Sequence, residues 1–129
     1  MKTSTCLLIL SLLLPVIVWA DETPAEIEYL LTTMSTSDCT FIRNGKEYDA
    51  ADAESHLRMK YRRGKRYAPT TELFIERLAS QSSMSKKPYF IECEGTERMT
   101  SAEWLTALLE AYRAAMMADE TDALLTPEP

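Results

Sequence analysis

One histidine, three cysteines and three glycines in 129 residues leave several kinds of chemistry without the groups they need. A lone imidazole, His56, cannot assemble a histidine-based metal site, which normally takes two or three nitrogen or sulfur ligands. No G-x-S-x-G elbow is present to raise a serine nucleophile above a sheet. No internal repeat and no linker divides the chain. A net charge of −6 excludes a global affinity for nucleic acid or anionic lipid. No apolar run reaches the roughly 20 residues that a membrane-spanning helix requires.

The longest apolar run is instead the centre of an export leader. Lys2 supplies a positive start, Cys6 to Val18 the apolar stretch, and Val18-Trp19-Ala20 the small residues read by signal peptidase. Cys6 lies too deep in that stretch to be a lipidation cysteine. The expected organisation is a signal peptide over 1–20, one domain over 21–118 and an acidic, flexible tail over 119–129. Loss of the leader removes one basic residue, so the processed chain is more acidic still. Its size allows one compact domain with a thin stability margin.

Export changes the reading of the cysteines. Cys39 and Cys93 survive processing, and an even pair in an oxidising compartment reads as a disulfide, the alternative being two buried thiols. Closing a loop of about 55 residues stabilises a fold by roughly 4 kcal/mol in the chain-entropy treatment. That is a large share of the total for a domain of this size.

Periodicity and capping chemistry outline the elements. Thr23-Pro24-Ala25-Glu26 reads as a capping box, followed by Ile27, Leu30, Leu31 and Met34 at helical spacing. Residues 39–43 form a β-type run, Asn44-Gly45 a hairpin turn, and 46–48 a short return strand. Asp49 or Asp52 caps a second helix, with Ala50, Ala53, Leu57 and Tyr61 as its buried stripe and Gly64 as its stop. Pro69-Thr70-Thr71-Glu72 starts a third helix that the serines of 80–85 end. Residues 89–93 suit another strand. Thr100-Ser-Ala-Glu103 is a second capping box, opening a core helix through Trp104, Leu105, Leu108, Leu109, Tyr112 and Met116. Antiparallel pairing of 39–43 with 89–93 sets Cys39 opposite Cys93, Phe41 opposite Ile91 and Arg43 opposite Tyr89, with consistent alternation. The expected fold is α+β: about four helices covering one face of a three-stranded antiparallel sheet.

Three features carry candidate chemistry. Ser83-Met-Ser-Lys86 matches S-x-x-K but follows a helix instead of starting one, and lacks S-D-N and K-T-G partners. His56 stands at the edge of the second helix's buried stripe, the place of a structural imidazole with a hydrogen-bond partner. From Arg58 to Arg66 basic residues crowd the end of that helix, with Tyr61 and Tyr67 among them. Such a segment is a docking patch for an anion, a solvated helix end favoured by the macrodipole, or an intramolecular match to the acidic tail.

The stretches Phe41-Ile-Arg-Asn-Gly45, His56-Leu-Arg-Met-Lys60, Phe74-Ile-Glu-Arg-Leu-Ala-Ser80 with Ser82-Ser83, and Lys87-Pro-Tyr89 give the chain a family likeness over roughly residues 24–113. It resembles the YfeK-like family of small exported bacterial proteins of unknown function. The resemblance implies a periplasmic location and brings no catalytic residue, cofactor or substrate. The family pattern often has glycine two residues before the Pro-Tyr pair, where this chain has Lys86. The cysteines are not part of that pattern, so the disulfide rests on the compartment.

The functional expectation is a non-catalytic envelope protein that binds a protein partner or an anionic envelope component. The residues expected to do so are His56, Arg58, Lys60, Arg62 and Arg63, with Tyr89 as a neighbour through the sheet. No metal and no cofactor is called for. The alternative is a small hydrolase or transferase using His56 and a serine from Ser80–Ser85, which requires that serine or a carboxylate within about 3.2 Å of the imidazole.

Overall fold

The computed structural model describes residues 23–126. The leader expected over 1–20 and the last three residues of the expected tail lie outside them. Helix α1 (Ala25–Ser35) buries Ile27, Leu30, Leu31 and Met34 along one stripe, as their spacing dictates. Its capping box does not form. Pro24 occupies the cap and no side chain closes it. Glu26 accepts instead from Thr71 Oγ1 at 2.6 Å and from Arg113 Nε at 2.7 Å. A carboxylate offered a guanidinium gains more there than from a neutral backbone amide.

Strand β1 (Thr40–Arg43) turns through Asn44 and Gly45, both at positive φ as a type I′ hairpin demands, into β2 (Lys46–Tyr48). Across the sheet β1 pairs antiparallel with β3 (Phe90–Glu92), Phe41 opposite Ile91, and the Cys39–Cys93 disulfide closes one end with its Cα atoms 4.1 Å apart. The sheet has four strands rather than three, in the order β2-β1-β3-β4. The addition is β4 (Met99–Thr100), which sets Met99 against Ile91 and Thr100 against Phe90. Two residues are too few to show alternation, and the second is also the cap of the next helix.

Helix α2 (Ala50–Gly64) is capped by Asp49, whose carboxylate accepts from the Asp52 amide at 2.8 Å. A single 3₁₀ turn (Lys65–Tyr67) follows it. Helix α3 (Thr71–Phe74), capped by Thr70, then widens into one π-helical turn (Ile75–Ala79). Gly64 lets α2 approach that turn: a β-carbon there would stand 3.0 Å from Leu78 Cδ2. Helix α4 (Ser101–Leu125) opens on the expected capping box, Thr100 with Glu103, and buries Ser101, Leu105 and Leu109. It covers the inner face of the sheet, where Trp104 meets Phe41 edge-on at 6.0 Å.

Helix α4 also continues to Leu125, well past the start of the tail expected from residue 119. No glycine or proline interrupts residues 101–126, and alanine, methionine, leucine and glutamate favour helix on their own. Every described residue from Arg113 onward is exposed, so this extension stands on local propensity alone. Among the described residues no helix is long and apolar enough to cross a membrane.

Candidate functional site

Alternation along β1 directs Phe41 and Arg43 to the helix-covered face, and Tyr48 of β2 stands opposite Phe41 on the same face. Tyr89 continues the parity of Ile91 just before β3. Above them runs α2, on which Asp52, His56 and Lys60 follow at four-residue steps along one side. The end of the hairpin and the middle of α2 thus deliver Arg43, Tyr48, His56, Lys60 and Tyr89 to one place.

Arg43 Nη2 donates to Tyr48 Oη at 2.9 Å, with the guanidinium 4.6 Å above the Tyr48 ring. Arg43 Nη1 lies 2.8 Å from His56 Nδ1 and 2.9 Å from His56 Nε2. A guanidinium only donates, so the imidazole must present a lone pair and is neutral. Its environment agrees: burial first, then the charges of Arg43 and Lys60, lower the His56 pKa to about 4. Tyr89 Oη stands 3.3 Å from His56 Nε2 and accepts from Lys60 Nζ at 3.2 Å. Lys60 also donates to the Gln81 carbonyl at 2.8 Å and is only 9% exposed. Burial, then Arg43 and Lys86, lower its pKa to about 8. Desolvation raises that of Tyr89.

Two hollows meet at these residues. A cavity of about 190 Å³ lies between α2, α1 and the sheet, with Met34, Phe41, Ala53 and Leu57 among its walls. An open groove of about 760 Å³ runs beside it past Lys60, Arg63, Ser82 and Ser83. Arg43, Tyr48, His56 and Tyr89 face both.

The candidates named from sequence separate into two groups. His56, Lys60 and Tyr89 come together, and Arg63 borders the same groove. Arg58 points to the opposite side of α2, where it holds Glu28 at 2.9 Å and Glu54 at 2.5 Å. Arg62 is exposed. A helix turns 100° per residue, so positions 58 and 62 cannot share a face with 56, 60 and 63. Arg43 and Tyr48 are absent from the sequence candidates; the inward parity that Phe41 imposes on Arg43 was the available signal.

Ser80 and Ser82 serve local backbone, and Ser85 reaches across to the hairpin turn. Ser80 donates to the Glu76 carbonyl, Ser82 Oγ accepts from the Ser85 amide, and Ser85 donates to Asn44 Oδ1. Their segment is held by a bridge between Gln81 and Pro88, and Lys86 within it has φ +61°. Within hydrogen-bonding distance of the His56 ring stand Arg43 and Tyr89; among the described residues no serine and no carboxylate does. Nor do the described residues include a cluster of three or more His, Cys, Asp or Glu side chains fit to hold a metal.

Comparison with known proteins agrees with the likeness read from the motifs. The model of a family described as a family of unknown function, DUF5329, matches residues 21–113. The uncharacterized protein YfeK of Salmonella typhimurium (strain LT2) is 37% identical over 93 residues, covering 69% of this chain and 77% of that protein. No solved structure matches.

Proposed function

The chain belongs to this family of unknown function, DUF5329, and we propose that it is an exported, non-catalytic envelope protein that binds an anionic group at the Arg43–Lys60 site. The ligand is an anionic envelope component or an acidic group on an envelope protein. Export is supported by the leader, and by a disulfide of the kind that persists in oxidising compartments.

One observation carries the binding reading. Arg43 and Lys60 converge with no carboxylate in ion-pair range of either among the described residues, whereas Arg58, Arg98 and Arg113 each hold at least one. Removing cations from water without a counter-charge costs several kcal/mol, and an incoming anion recovers part of it. Arg43 uses two of its five donor hydrogens on Tyr48 and His56, which leaves a fork for a carboxylate or phosphate oxygen pair.

Titration of the purified chain with acetate or inorganic phosphate, followed by NMR, tests this. The His56 and Tyr89 signals are expected to shift. Affinity should fall with added salt and fall again as pH rises through about 8, because Lys60 loses its charge there. Arg43→Gln and Lys60→Met should bind at least tenfold more weakly, while Arg58→Gln binds as the parent does. Equal affinity in Lys60→Met and the parent would refute the reading.

A further inference from the structure

The cavity beside the cations is too apolar to be a simple extension of an ion site. Met34, Phe41, Ala53 and Leu57 contribute to it from two helices and a strand. Its polar neighbours are already engaged. Ser101 Oγ donates to the Ala79 carbonyl at 3.0 Å, and Tyr48 and Tyr89 hold Arg43 and Lys60. No buried side-chain polar atom among the described residues lacks a partner. Nothing inside therefore asks for a polar ligand group. Asp52 is the one acidic residue on the lining, exposed one turn before His56; an anion is accordingly held on the guanidinium side.

Size narrows the occupant. An apolar cavity of about 150 Å³ in another protein stays dry and takes up benzene. A cavity of about 190 Å³ thus accommodates one ring or a short branched chain, with little room to spare. Arg43 faces both this cavity and the groove. A ligand with its charged end on Arg43 is within reach of the cavity with its other end. We infer that the ligand is a small organic carboxylate, its carboxylate on Arg43 and its ring or branched chain in the cavity under α2. This rests on the anion-binding reading above and adds the apolar half.

The test compares acetate, benzoate and benzyl alcohol on the full chain by calorimetry and NMR. Burying most of a phenyl group favours benzoate over acetate by on the order of fifty-fold. Benzyl alcohol, which lacks the charge, should bind at least tenfold more weakly than benzoate. Ala53→Leu fills the cavity from α2 and should reduce benzoate to the level of acetate, leaving acetate unchanged. Should that variant fail to fold, the benzoate-to-acetate ratio in the parent decides alone. Acetate binding with no gain for benzoate overturns the carboxylate-with-apolar-group inference and leaves the anion site standing. Failure of both anions to bind overturns both.

Discussion

His56 and Lys60 lie next to Arg43 at close range, and that crowding has consequences before any ligand arrives. A histidine whose folded pKa is about 4 binds fewer protons than its unfolded counterpart between that value and about 6.5. Stability should therefore fall as pH drops from about 6.5 to about 4. The urea midpoint measured across that range should decline, and His56→Gln should flatten the decline. Glu26 and Glu28, whose pKa values guanidinium partners lower, add their own loss only at more acid pH. Lys86 makes a second residue-scale prediction. It holds φ +61°, a region costly for any side chain with a β-carbon. Lys86→Gly should raise stability by about 1 kcal/mol in urea unfolding. The site itself was half legible at this scale. Helical spacing joins His56 to Lys60, and strand register places Tyr89 across from Arg43. Spacing also sets Arg58 on the opposite side of α2; what it cannot supply is the position of α2 over the sheet, which decides that Arg43 meets the imidazole.

Two capping boxes of the same type stand in the sequence, and only the second exists in the fold. Local chemistry is identical in kind; the difference lies in what else each glutamate can reach. Glu103 accepts from the Thr100 amide at 2.9 Å, while Glu26 is taken by Arg113 and Thr71. Thr100→Ala should then cost about 1 kcal/mol of unfolding free energy and Thr23→Ala less than about 0.5 kcal/mol. Equal losses in denaturant titrations would refute this account of the two helix starts. The same principle explains which elements were legible. Helices α1, α2 and α4 and the β1–β2 hairpin follow from periodicity and turn residues that sit next to one another in the chain. The π-helical turn at Ile75–Ala79 follows from packing against α2 and α4, and β4 from pairing with β3. Neither leaves a local mark.

At the scale of the whole molecule, the family match and the packed body end together. The match runs from residue 21 to 113, and Tyr112, whose ring lies 4.5 Å from that of Tyr29, is the last described residue that is not exposed. Arg113 clasps Glu26 of α1 and Glu72 of α3 from its place on α4, fastening the three helices at their surface. Beyond it no described residue of α4 is buried: Met116 is 49% exposed, Met117 69% and Leu124 81%. Helical hydrogen bonds in water contribute little net stability without tertiary packing behind them. A chain ending after Ala115 should thus unfold within about 0.5 kcal/mol of the full chain, since no buried residue is lost. Its far-UV circular dichroism should drop by the helical residues removed, and its anion affinity should stay the same. A loss of several kcal/mol on truncation would mean that the exposed end of α4 is covered in solution. The apolar residues Met116, Met117, Leu124 and Leu125 would then have to be counted as part of an interface.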